Sequence, residues 1–235
     1  MRTLGIVGGM GPLATHDFYR KVIEATPADD DPQHIPVVMV ADTQIPLRIP
    51  AWEGRGPSPL PALLAAARHC MQAGATVLAM PCNTAHYWFD AIVRDLPGEV
   101  RFIHIADAAL REAQHALQAT RSPRLALAGT HATVAMRLYQ DAALRLGLDV
   151  PWLLPDAPLQ ARITQAIADV KAGRIDAAIA AFQAALDGLA AQGAQAIVLG
   201  CTELPVIAPR MRCDVPLVDA TAALARACVQ ACLRD

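Results

Sequence analysis

Residues 74–84, GATVLAMPCNT, and residues 193–203, GAQAIVLGCTE, are two versions of one segment. Each runs Gly-Ala, then an apolar stretch, then a cysteine followed by hydrogen-bonding side chains. Gly74 precedes Cys82 by the same eight residues that separate Gly193 from Cys201. Upstream, LGIVGG and LALAGT open the two halves at nearly the same offset, and Tyr19 and Tyr139 follow at it again. An internal repeat of this length predicts two pseudo-equivalent halves built on one topology.

The topology follows from periodicity. Residues 4–8, 37–40, 76–80, 102–105, 124–129, 196–200 and 216–219 are short apolar runs without period-2 alternation, as in parallel strands covered on both faces. A further strand is expected near 148–152. Between the runs lie helical patterns. The clearest spans Arg174 to Gln192, where Ile175, Ile179, Phe182, Leu186 and Leu189 make one apolar stripe. Strands alternating with helices predict an α/β fold with parallel sheets and right-handed crossovers.

Composition narrows the function. Hydrophobic residues are 54% of the chain and charged residues 18%, which excludes disorder as the main state. The formal net charge is −2, no basic cluster is present, and aromatics are 4%, so nucleic-acid binding is not expected. No apolar segment has the length of a membrane span or signal peptide, and a cytoplasmic protein is expected. The six cysteines contain no Cys-x-x-Cys pair, so neither a metal site nor a disulfide framework is expected. GIVGGMG departs from the Gly-x-Gly-x-x-Gly dinucleotide fingerprint.

In an open parallel sheet, ligands bind beyond the carboxyl ends of the strands. Cys82 and Cys201 each stand at such an end, one per half. A lone cysteine there is ordinarily a small buried hydrophobe. Two at matched positions, each followed by hydroxyl or amide groups, point to chemistry. Two opposed thiols suit stereochemical inversion, in which one removes a proton from one face of a carbon and the other supplies a proton to the opposite face. Asn83, Thr84 and Thr202 are placed to donate hydrogen bonds to a thiolate or a substrate, as are backbone N–H groups at the start of the following helices. His86 and His104 could polarise a thiol or serve as core histidines. Asp107 and Asp219 read as helix N-caps. Cys70, Cys213, Cys228 and Cys232 read as packing residues.

GIVGGMGPLAT (5–15), QIPLR (44–48), PCNTAH (81–86) and GCTELP (200–205) occur in the order of the aspartate/glutamate racemase family. The chain resembles that family over nearly its whole length, its aspartate enzymes most of all. The resemblance implies two pseudo-symmetric flavodoxin-like domains with the active site in the interdomain cleft. It implies residues 1–103 with 208–235 as one domain and 104–207 as the other, the last strand and helix returning to the first. It implies Cys82 and Cys201 as catalytic acid/bases, no pyridoxal phosphate or other cofactor, no metal, an amino-acid or dicarboxylate substrate, and a homodimer. Met10, Arg48, Asn83, Thr84, Thr130 and Thr202 fall to substrate binding, with Arg48 as the grip on a distal carboxylate in a Pro/Gly-rich loop. Three positions depart from the family's pattern. Leu47 stands for the usual Asp before Arg48. Gln160 stands where aspartate enzymes tend to carry a lysine, with Arg162 two residues on. Glu203 stands where glutamate racemases have a histidine. Two other readings remain: a maleate-isomerase-like or decarboxylase-like enzyme of the same superfamily, and a small-molecule-binding protein without turnover.

Overall fold

The computed structural model describes residues 1–117 and 123–234. The first half runs β1 (Thr3–Gly8), α1 (Pro12–Ala25), β2 (Val37–Ala41), α2 (Arg48–Trp52), α3 (Leu60–Gln72), β3 (Ala75–Ala79), α4 (Phe89–Val93), β4 (Arg101–Ile103) and α5 (Ile105–Leu117). The second runs β5 (Leu125–Gly129), α6 (His131–Ala135), α7 (Leu138–Arg145), β6 (Trp152–Leu153), α8 (Ala157–Lys171), α9 (Ile175–Ala191), β7 (Ala196–Gly200), α10 (Leu204–Ile207), β8 (Leu217–Asp219) and α11 (Ala220–Leu233).

The repeat is one of topology. The first sheet has the order β2-β1-β3-β4 and the second β6-β5-β7-β8, so each strand of one half has its counterpart at the same place in the other. All pairings are parallel. β5 and β7 are buried at every residue, as their unbroken apolar runs require. β2 differs from the expected buried strand. It is an edge strand, only partly buried, with Met39 exposed. β4 is shorter than expected and stops at Ile103, because Ile105 already begins α5.

Contacts divide the chain into one unit of Met1–Ile105 with the segment from Thr221 onward, and a second of Ala106–Ala220. The last strand does not return to the first domain as the resemblance implied. β8 extends the free edge of β7, with Ile197 opposite Leu217 and Val198 opposite Val218. Only α11 joins the first unit, where Arg2 N–H donates to the Cys232 carbonyl at 2.8 Å. In the first core, Leu63, Ala67 and Cys70 of α3 pack with Val7, Leu78, Met80 and Ile92. In the second, Ile163 and Val170 of α8 and Phe182, Leu186 and Leu189 of α9 pack with Ile197 and Leu199. Cys70, Cys228 and Cys232 are fully buried, as packing residues should be.

The α8–α9 turn is fixed by a buried carboxylate. Asp169 accepts from Gln165 Nε2 (2.9 Å) and Arg174 Nε (2.8 Å), while Arg174 N–H donates to the Asp169 carbonyl. The hydrogen bond from Gln165, then that from Arg174, holds the Asp169 carboxyl below its ordinary range. A depressed carboxylate contributes stability above its unfolded value, about 3.9, and loses that contribution as pH falls through the lower folded value. Asp169→Asn is expected to lower the melting temperature at pH 7, with the gap from wild type closing as pH falls below the ordinary carboxylate range. Thermal unfolding of both proteins from pH 2 to 7 checks this; a gap independent of pH would refute it.

Candidate active site

Cys82 lies three residues past the last residue of β3. The ladder stops because Pro81 has no N–H to offer it. Cys82 N–H then donates to the Met80 carbonyl at 2.8 Å, and the chain turns into a 3₁₀ segment over Thr84–Trp88. Cys82, Asn83 and Thr84 are all buried, Cys82 at 6% exposure. His86 fixes this turn through its backbone rather than its sulfur. Nδ1 lies 2.9 Å from the Cys82 carbonyl and Nε2 accepts from Ile105 N–H at 3.1 Å. The ring is therefore neutral with its proton on Nδ1, which donates to the carbonyl. Phe89 stacks on its face and His104 meets it edge-on. Of the two roles open to His86, the core one is what these contacts describe.

The Gly8-Gly9-Met10 turn closes β1. Gly9 N–H donates to Thr15 Oγ1 (2.9 Å), which itself donates to the Gly11 carbonyl (2.8 Å). Thr15 was not singled out by the sequence, although it ties this turn to α1. Met10 is buried in the first core, and its carbonyl accepts from Arg48 Nη2 at 3.4 Å. Arg48 Nη1 donates to the Ile45 and Pro46 carbonyls, both at 3.2 Å. Two of its five N–H groups thus anchor its own loop and a third reaches the β1–α1 turn, leaving Nε–H and one Nη2–H for another partner. The loop is more regular than its Pro/Gly content predicts: Arg48 begins α2, and Pro50 sits in that helix's first turn, where no intrahelical donor is needed.

In the second unit, Cys201 follows β7 directly and is again 6% exposed. Its carbonyl accepts from Leu204 N–H at 3.0 Å, starting the short helix α10. Its Sγ donates to Glu203 Oε2 at 2.9 Å. Glu203 is buried, and Lys171 Nζ at the end of α8 lies 3.7 Å from Oε1. Burial pushes the Cys201 thiol well above its ordinary range and the Glu203 charge pushes it further, while Lys171 pulls it back. Tyr139 of α7 is fully buried nearby, its phenol raised by burial and then by the charges of Cys201 and Asp219. Thr202 is buried beside the thiol. Thr130 caps α6, its Oγ1 accepting from Thr133 N–H at 3.0 Å. Gln160 Nε2 donates to the Gly129 carbonyl (3.0 Å) and Thr164 Oγ1 (3.3 Å), so its amide supports the end of β5.

Two expectations change. The segments after the thiols, a five-residue 3₁₀ turn and a four-residue helix, are too short for a strong helix dipole. Asp107 is not a cap: it lies in the first turn of α5 and accepts from Arg145 Nη2 at 2.8 Å. The sequence noticed Glu203 only as a departure and missed Lys171. Among the described residues, no group of three or more His, Cys, Asp or Glu side chains is placed to hold a metal ion. No described helix is long and apolar enough to cross a membrane.

Residues 7–228 match the Asp/Glu/Hydantoin racemase family. The chain is 26% identical over 237 residues to the broad specificity amino-acid racemase of Bacillus subtilis (strain 168), covering 96% of each. It is similar in structure to an aspartate racemase from Picrophilus torridus, with a TM-score of 0.83 and 28% identity over 99% of this chain and 94% of that one. An aspartate racemase homologue from Pyrococcus horikoshii OT3 shares the fold, with a TM-score of 0.71 at 22% identity and full coverage of both chains.

Proposed function

Because the chain belongs to the Asp/Glu/hydantoin racemase family, and is thereby an isomerase, we propose that it racemises free amino acids with Cys82 and Cys201 as acid/bases on opposite faces of one α-carbon. The observation that carries this is the placement of the thiols: each lies just past the carboxyl end of the third strand of its half, β3 and β7, in two sheets of one strand order. One thiolate takes the α-proton, the other thiol delivers a proton to the far face, and hydrogen-bond donors around the α-carboxylate stabilise the carbanion. Asn83, Thr84, Thr130 and Thr202, buried at the ends of β3, β5 and β7, are the donors we assign to the α-amino and α-carboxylate groups. Such chemistry calls for no resident cofactor.

The substrate range is broad, with aspartate one substrate among several. Arg48 offers a fork already oriented by three backbone carbonyls, with two N–H groups left for a distal carboxylate. Gln160 brings no second cation, and its amide is spent on Gly129. One cation where aspartate enzymes tend to have two weakens the preference for an acidic side chain, and the similar Bacillus subtilis protein is a racemase of broad specificity.

The test is a panel of L- and D-amino acids followed by circular dichroism. Arg48→Ala should lose about tenfold or more in kcat/KM for aspartate and glutamate beyond its loss for uncharged amino acids, since a charge-assisted contact contributes about 1.5–3 kcal/mol. Gln160→Lys should raise the preference for aspartate. Equal losses for every substrate in Arg48→Ala would restrict Arg48 to holding its loop. No inversion of any amino acid would sink the racemase reading.

A further inference from the structure

The repeat that makes the two thiols equivalent in backbone makes them unequal in chemistry. Thr84 stands two residues after Cys82, and Glu203 two residues after Cys201. Among the described residues, no side chain hydrogen-bonds the Cys82 sulfur, whereas Cys201 donates to a buried carboxylate at 2.9 Å. A carboxylate that deep is costly unless paired. Glu203 is paired twice: Oε2 takes the thiol hydrogen, and Oε1 faces Lys171 Nζ at 3.7 Å. Lys171 is itself about half exposed and sits at the last residue of α8, whose turn Asp169 fixes. The charged and titratable groups around Cys201 are Glu203 on its own turn, Lys171 of α8 and Tyr139 of α7, with Asp219 at the end of β8 acting on Tyr139.

Resting on the reading that Cys201 is an acid/base, we propose that Glu203 is its proton partner and Lys171 the counter-ion of Glu203, so that Cys201 rests as a thiol and becomes a base only by passing its proton to Glu203. The balance closes. The Cys201 S–H bond breaks, its proton goes to Glu203 Oε2, and the electron pair stays on sulfur. The thiolate takes the α-proton, re-forming S–H and leaving a carbanion. The carbanion takes the Cys82 proton on its other face, leaving Cys82 as thiolate. The proton on Glu203 is then lost to water and one from water restores the Cys82 thiol, so no net proton is consumed. The reverse direction runs the same steps backwards: Cys82 loses its proton to water and Glu203 gains one, the Cys82 thiolate takes the α-proton, the Cys201 thiol supplies a proton to the other face, and the Cys201 thiolate recovers its proton from Glu203 Oε2. Glu203 acts through Cys201 and is a positioning residue; Thr84 cannot play this part for Cys82.

The experiment alkylates wild type, Glu203→Gln, Glu203→Asp and Lys171→Met with iodoacetamide across pH, without substrate, and reads each cysteine by peptide mass spectrometry. The thiolate is the nucleophile, so the pH profile reports its fraction. Glu203→Gln removes a negative neighbour and should shift the Cys201 profile to lower pH. Lys171→Met removes a positive one and should shift it to higher pH. Cys82 should not move in either. Racemisation by Glu203→Gln should fall by about tenfold or more, with part recovered in Glu203→Asp. A structural disturbance would speed alkylation in both variants, so opposite shifts are what a purely structural role does not produce. Profiles for Cys201 that stay put, or move the same way in both variants, overturn the proposal. Should Glu203→Gln fail to fold, the direction of the Lys171→Met shift still decides. If none of the proteins exchanges an α-proton in deuterium oxide, the racemase reading fails, and the alkylation profiles still decide whether Glu203 and Lys171 govern Cys201.

Discussion

Cys82→Ala and Cys201→Ala each lose racemisation by at least about 10²–10⁴-fold, the scale of a removed acid/base, while each keeps one half of the reaction. A single remaining thiolate can still remove the α-proton from the enantiomer that faces it and return a proton to the same face. In deuterium oxide each variant should therefore wash deuterium into one enantiomer without inverting it, and the two variants should choose opposite enantiomers. The same single base should eliminate a leaving group from a β-substituted analogue of that enantiomer. The measurement is proton NMR of the α-hydrogen alongside circular dichroism. Either variant racemising at the wild-type rate would refute the two-base assignment, as would both variants exchanging the same enantiomer. A further constraint comes from symmetry. Free enantiomers have equal energy in water, so kcat/KM must be the same in both directions whatever the thiols do. The inequality between Cys82 and Cys201 can appear only in kcat and KM taken separately. A maleate-isomerase-like enzyme or a simple binding protein predicts no enantiomer-selective exchange at all.

What could be read from the sequence depended on how far apart the determinants lie along the chain. β1, β5 and β7 were legible because each is a local apolar run buried on both faces. The two thiols were legible because a repeat supplies its own comparison. β6 was placed too early: it is a two-residue edge strand at Trp152–Leu153, with Pro151 just before it, and so short a segment has no period to read. α2 was hidden in a Pro/Gly-rich stretch because Pro50 in a first turn looks like a loop proline. The surroundings of Cys201 were out of reach for a different reason. Glu203 is local to its cysteine, but Lys171 reaches it from the end of another helix, and nothing in the pattern of either segment encodes that meeting. His86 shows the same limit. Its residue type suggested chemistry at sulfur, and only the positions of the Cys82 carbonyl and the Ile105 N–H show that the ring is committed to backbone.

Gly9→Ala should be among the most damaging substitutions outside the thiols. Gly9 has φ of 93°, a conformation that L side chains rarely adopt. A Cβ there would lie 2.3 Å from the Asp42 carbonyl oxygen, 2.4 Å from its carbon and 2.7 Å from its nitrogen. Those are backbone atoms just past β2, so no rotamer change relieves the overlap. Either the end of β2 or the β1–α1 turn must move. Moving the turn would break the Gly9 bond to Thr15 and displace the Met10 carbonyl that Arg48 holds. Backbone strain alone costs on the order of 1–3 kcal/mol. With the overlap added we expect a loss above roughly 3 kcal/mol, and a fall in melting temperature of roughly 6–12 °C for a chain of this size. Gly74→Ala is the control. Gly74 has φ of 94° and a Cβ there meets nothing within 4 Å, so it carries the conformational cost without the collision. Thermal unfolding of the two variants separates the contributions. Gly9→Ala should fall well below Gly74→Ala, and it should also lose racemase activity at temperatures where both are folded. Equal melting temperatures would mean that the approach of Asp42 to the turn is soft, and that this turn does not fix the position of Met10.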